Sequence, residues 1–189
     1  MISQSLVSVR VITYNSSKTI VETLDSIYNQ TYPNLELIVS DDCSFDGTVE
    51  ICRDWISAHK GRFVRTELLT VEKNTGVSAN VNRAERVCKG EWVKGIAGDD
   101  LLLPECIESY VSFICEHPDA ICVFSRVEVF GNNADVVSKM SRFFRYEFFT
   151  DWSLDQQLGY LLAVDNCIPT MTFFYNVERL RRFGIHNDE

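Results

Sequence analysis

Two pairs of adjacent aspartates, Asp41-Asp42 and Asp99-Asp100, each follow a short apolar run, residues 35–39 in the first case and 92–96 in the second. Neighbouring carboxylates repel each other, and burying them unpaired is expensive, so a cation or a hydrogen-bonding ligand is their natural partner. Mg²⁺ and Mn²⁺ prefer oxygen ligands, and Mg²⁺ commonly takes one or two carboxylates together with phosphate oxygens. If the apolar runs are buried strands, the acids stand at their carboxyl ends, at the mouth of an open α/β sheet where such folds place ligands. The chemistry suggested is metal and nucleotide binding. A plainer reading stands beside it. Asp99-Asp100 also suits a solvated turn ahead of a helix near Pro104, and Asp41-Asp42 an acidic turn with Asp46 capping the next helix.

Ala97 and Gly98 lie immediately before the second pair, and small side chains there let a bulky ligand approach the backbone. Thr13-Tyr14-Asn15 closes a first strand on the same edge, so three polar strand ends would form a crevice. Residues 74–82 open a helix with Ser78 near its start, which suits either an anion on the orphan amides or an ordinary Ser cap. Arg10, inside an apolar strand, is either a snorkelling edge residue or the partner of an inward acid. Lys139, Arg142 and Arg145 interleave with Phe143, Phe144, Tyr146, Phe148, Phe149 and Trp152. That stretch reads as an interfacial segment touching anionic lipid or, preferably, as a loop whose aromatics wrap the core. His59, His117 and His186 lack ligand spacing and are expected at the surface.

The elements that must position these residues alternate strand and helix. Strands are expected at 7–12, 35–40, 63–69, 92–96, 120–129 and 170–175, with helices after Thr19, Asp46, Gly76 and Pro104 and near 153–162 and 177–183. Thr19 and Glu22 fit a capping box, and Gly90 the end of the third helix. Alternation of this kind predicts an α/β fold whose mainly parallel, mixed sheet carries helices on both faces. At 189 residues the chain suits one domain with a sizeable core. The net charge of −9 argues against nucleic acid as a partner and means that local groups must reverse the sign if the ligand is a diphosphate. Seven cysteines without paired spacing suit buried thiols in a reducing compartment, and no apolar run approaches a membrane span, so a cytoplasmic location is expected.

Taken in order, five segments resemble the family 2 inverting glycosyltransferases of the GT-A (Rossmann-like) fold. They are residues 7–15, 29–36, 41–48, 74–76 and 90–104, and together the resemblance covers roughly residues 5–125. It implies transfer of a monosaccharide from a nucleoside-diphosphate sugar, UDP-type favoured, to a glycan or lipid-linked acceptor in cell-surface or capsular polysaccharide synthesis. By motif position Ile12, Thr13 and Tyr14 would line the base pocket, Asp42 would bind the base, and Asn80 would sit near the nucleotide. Asp99 would hold Mn²⁺ or Mg²⁺, with Asp41 and Asp100 as additional candidates. Ala97 replaces the first acid of the family's D-x-D element, which bears on the ribose contacts. Residues 1–130 would form the nucleotide-sugar half and 131–189 the acceptor side, with the catalytic base expected beyond Glu189. Peripheral contact with the inner face of a membrane fits a lipid-linked acceptor. A nucleotide-sugar-binding module without turnover is the main alternative, and a receiver-like signalling domain, resting on Asp41-Asp42 alone, ranks last.

Overall fold

In the first strand, β1 (Val7–Thr13), alternate residues face opposite ways, and the two faces meet different surroundings. Val7, Val9 and Val11 are fully buried in the apolar core, whereas Ser8 and Arg10 on the other face make polar contacts. The computed structural model describes residues 5–143, 153, 155–156 and 170–182. The other strands are β2 (Leu35–Asp41), β3 (Arg65–Leu69), β4 (Trp92–Ala97), β5 (Cys122–Val123) and β6 (Phe174–Asn176). They form one sheet in the order β3-β2-β1-β4-β6-β5. The first four in that order are parallel, and β6 runs antiparallel to β4 and β5. The mixed, mainly parallel α/β sheet is the one expected.

Helices α1 (Ile20–Tyr28), α2 (Thr48–His59) and α4 (Cys106–Glu116) supply Ile20, Leu24, Ile27, Cys52, Trp55, Ile107, Tyr110 and Val111 to the valine face. Phe174 joins them, its ring stacked between Trp92 at 5.0 Å and Tyr110 at 4.8 Å. Helix α3 (Val77–Glu85) covers the polar face. There Arg10 pairs with Glu85 at 3.0 Å, and Tyr175 donates its hydroxyl to the same carboxylate at 2.8 Å. Arg10 is therefore the partner of an inward acid. Gly95 lies beside it in register, and a Cβ there would meet the guanidinium at 2.5 Å.

The described residues fall into two units, one up to Val123 together with those from Phe174 onward, the other Phe124–Phe173. The first unit holds the sheet and includes α6 (Val177–Arg182). The second contains α5 (Ala134–Phe143), a turn of 3₁₀ helix at Thr170–Thr172, and an edge-to-face contact between Phe124 and Phe173. The expected helix near 153–162 and the aromatic residues 144–152 lie almost wholly outside the described residues.

Three expectations give way. Only Cys122 and Val123 of the expected strand 120–129 pair, because β6 is three residues long and reaches beyond them only through the Asn176 amide, which donates to the Ile121 carbonyl at 2.9 Å. The Thr19 hydroxyl donates to the Gly98 carbonyl at 2.8 Å and makes no cap bond to α1, since β4 brings that carbonyl against the helix start. Gly90 lies beyond the end of α3 and serves close approach instead. Its amide donates to Ser8 Oγ and to Glu36, and a Cβ would lie 2.5 Å from the Ser8 nitrogen.

Candidate functional site

Because β2, β1 and β4 are adjacent and parallel, their carboxyl ends share one edge of the sheet. Thr13 is in register with Asp41, and Ile12 with Ala97. One step further, the Asp42 amide donates to the Thr13 carbonyl at 3.0 Å and the Gly98 amide to the Ile12 carbonyl at 2.9 Å. The two acidic pairs thus flank β1, one on either side. Here sequence-level expectation and tertiary structure agree: three polar strand ends meet at one edge.

The pairs differ sharply in their surroundings. Asp42 is 2% exposed, and both of its oxygens are engaged. Oδ2 accepts the amides of Thr75 (2.9 Å) and Gly76 (2.7 Å), while Oδ1 accepts the Thr75 hydroxyl (2.6 Å) and an Arg83 N–H (3.0 Å). Burial alone would raise its pKa, but the bonds from Thr75, Arg83 and Gly76 outweigh it and hold the carboxyl below the usual aspartate range. Gly76 makes this possible: its φ of +85°, a conformation glycine adopts without strain, turns consecutive amides toward one acceptor. No side chain caps α3, so the Ser cap is absent, and the two amides just before the helix are taken by the Asp42 carboxylate. Asp41 is buried too and accepts the Ser44 amide and hydroxyl at 2.8 and 2.5 Å.

Asn80, one of the expected nucleotide residues, is buried under the end of β1. Its amide donates to the Thr13 carbonyl at 3.4 Å and its oxygen accepts an Arg83 N–H at 2.8 Å. Arg83 also donates to Ser40 Oγ at 3.0 Å and so ties α3 to the end of β2. A lone arginine on a helix carries no sequence signal for such a role; only the fold identifies it.

Asp99 is exposed, and no described residue forms a hydrogen bond or ion pair with its carboxylate. Partial burial, followed by the charge of Asp99, pushes the Asp100 carboxyl up. Beneath this turn Lys94 is buried and donates to the Gly95 carbonyl at 2.9 Å; its burial brings the ammonium down to about 8. An uncommitted carboxylate with a second beside it fits Mg²⁺ or Mn²⁺, which also draws on phosphate oxygens. Among the described residues no group of three or more His, Cys, Asp or Glu could hold an ion without such help.

The loops that follow β1 and β2 are laced together. The amides of Asn15, Ser16 and Ser17 donate to Ser44 Oγ (2.7 Å), Thr48 Oγ1 (2.9 Å) and Asp46 Oδ2 (3.0 Å). Asp46 also accepts the Thr48 amide at the start of α2, from one residue ahead of the cap position, which Gly47 holds, and these bonds keep its carboxyl far below the usual range. Tyr14 projects from this lacework, 46% exposed, while Ile12 is only partly covered.

Residues 8–179 match the profile described as Glycosyl transferase family 2, and the chain belongs to that family. It is 33% identical over 104 residues to the putative glycosyltransferase EpsE of Bacillus subtilis, covering 55% of this chain and 36% of that protein. To the chondroitin synthase of Escherichia coli it is 30% identical over 134 residues, covering 70% of this chain and 19% of the other. Among solved structures, Staphylococcus aureus TarS 1–349 in complex with UDP shares 25% identity with a TM-score of 0.67, over 96% of this chain and 49% of that one. A mannosyltransferase from Pyrobaculum calidifontis, solved with GDP-Man and Mn²⁺, superposes with a TM-score of 0.71 at 24% identity, over 99% of this chain and 49% of that one. The GT-A-type α/β fold is thereby established. The chain spans about a fifth to a half of the length of these relatives.

Proposed function

We propose that this chain carries the donor site of an inverting, metal-dependent glycosyltransferase that takes a nucleoside-diphosphate sugar, UDP-type favoured. One observation carries the reading. At a single sheet edge, an exposed carboxylate without a described partner, Asp99, stands across the end of β1 from loops held rigid by internal hydrogen bonds. The UDP and UDP-GlcNAc complexes of TarS, a protein of the same fold at 25% identity, support a nucleotide sugar as ligand.

Ile12, Thr13 and Tyr14 line the nucleoside end in this reading, and Ala97 borders the ribose. Asp42 and Asn80 act from beneath, holding residues 75–76 and the end of β1 in position through Arg83. Asp99, with Asp100 beside it, would hold Mn²⁺ or Mg²⁺. A bound ion of this kind supplies Lewis-acid stabilisation of the charge on the departing diphosphate. The acceptor hydroxyl must also lose its proton to a base. Asp41 and Asp42 are unsuited to that task, since their oxygens are already held by Ser44 and by Thr75, Gly76 and Arg83. A glycan or lipid-linked acceptor in cell-surface polysaccharide synthesis, at the inner face of a membrane, completes the proposal; relatives named as a chondroitin synthase and a teichuronic acid biosynthesis glycosyltransferase support its polysaccharide part. No helix among the described residues is long and apolar enough to cross a membrane.

Calorimetry with UDP and Mn²⁺, run beside a sugar-transfer assay, tests the proposal. Asp99→Asn is expected to cut transfer by several kcal/mol of barrier, roughly a thousandfold, on the scale of metal catalysis. Undiminished turnover would remove Asp99 from the mechanism. Binding without transfer in the unaltered chain would favour a nucleotide-sugar-binding module.

A further inference from the structure

Phe45 stands in the loop after β2 and is 82% exposed, the most exposed large apolar side chain among the described residues. A scattered exposed hydrophobe needs no explanation. Phe45 is not scattered. Its ring lies 6.3 Å from that of Tyr14, nearly perpendicular at 79°, and both residues sit at the strand-end edge. Two rings at right angles form a corner, in which a planar group laid flat on one ring brings its rim against the other.

The corner is held from behind. The Phe45 amide donates to the Asn15 side-chain oxygen at 3.1 Å, and the Asn15 amide donates back to Ser44 Oγ at 2.7 Å. Asn15 and Cys43 both take left-handed backbone conformations, with φ of +52° and +71°. For Cys43 in particular this is a strained conformation that only surrounding bonds sustain. The backbone bearing the two rings is thus fixed before any ligand arrives, which lowers the ordering cost of binding.

We infer that Phe45 is a base-contacting residue: with Tyr14 it forms an aromatic corner that receives the nucleobase of the donor. This rests on the crevice being a nucleotide site and deepens that reading. Stacking on an aromatic face is indifferent to base identity, because every base has a π-face. Phe45 therefore contributes affinity without choosing between uracil and guanine.

The test is calorimetric titration of UDP and GDP, with Mn²⁺, into the unaltered chain and into Phe45→Ala, Phe45→Leu and Phe45→Trp. Phe45→Ala should weaken whichever nucleotides bind by roughly 5- to 20-fold and by the same factor for both bases. Phe45→Trp should restore binding and Phe45→Leu should not. Because the side chain is exposed, melting temperatures without nucleotide should coincide, which guards against misfolding as the cause. If the unaltered chain binds and Phe45→Ala binds equally well, Phe45 has no such role, while the donor site stands. If the alanine variant changes the ratio of UDP to GDP affinity, the indifferent stacking role is overturned. Failure of the unaltered chain to bind any nucleotide would overturn the underlying site and the corner with it.

Discussion

Asp42 and Asp99 occupy corresponding places, each just past the end of a parallel strand beside β1, each in an acidic pair. Their fates are opposite. Asp42 accepts four hydrogen bonds, one from an arginine, and is closed off from water. Asp99 stands in solvent without a described partner and burdens its neighbour Asp100 with like charge. The first is an anion already held by a loop, a helix start and an arginine. The second is an uncompensated charge of the kind that binding sites keep at some cost to stability. A similar local pattern therefore meets two surroundings, and what separates them is whether the rest of the chain supplies donors.

The largest expected consequence of that contrast is catalytic. Asp99→Asn should lose roughly three orders of magnitude in transfer, as above, with the fold intact. Next comes stability. Asp42→Ala strips the acceptor from two amides, a hydroxyl and a guanidinium, and should destabilise by about 2–3 kcal/mol, lowering the melting temperature by roughly 5–10 °C. A calorimetric scan showing Asp42→Ala as stable as the unaltered chain would erase the distinction drawn here.

A subtler separation lies in pH. Asp42 and Glu36, the latter held by Ser8, Lys89, Arg65 and Gly90 against the upward push of burial, have folded pKa values below their ordinary ones. The unfolded chain then binds protons first as the solution is acidified. The stability they contribute is complete above the ordinary carboxylate range, near pH 4, and is lost as the pH falls through the lower folded values. Urea unfolding at a series of pH values should therefore give a shallower acid slope for Asp42→Asn than for the unaltered chain; equal slopes would contradict the assignment. The smallest effect has the opposite sign. With the like charge beside Asp100 gone, Asp99→Asn should melt about 1 °C higher without ligand. A drop of several degrees would mean that Asp99 is held by partners after all.

Much of this was legible in the residues. The alternating runs in 7–13 and 35–41 and the spacing of Ile20, Leu24 and Ile27 state a buried parallel sheet and an amphipathic helix, because periodicity is a local property. Parallel strands then force their ends to one edge, so the crevice followed from the strand assignment alone. The strand expected at 120–129 failed because pairing needs a neighbour, and β6 supplies only a short one from residues about fifty positions away. Gly90 shows a similar ambiguity: a glycine that ends a helix and a glycine that admits Ser8 look alike in a linear chain.

What the amino-acid order determined by itself is the sheet, its helices, membership of a glycosyltransferase family and the position of both acidic pairs at one rim. Tertiary structure alone decided which of the two aspartates is enclosed by donors and which stays exposed to solvent. Donors from Thr75, Gly76 and Arg83, more than thirty residues downstream, converge on Asp42 and none of the described residues reaches Asp99. Carboxylates are alike in pKa and shape until folding brings, or withholds, the hydrogen-bond donors around them.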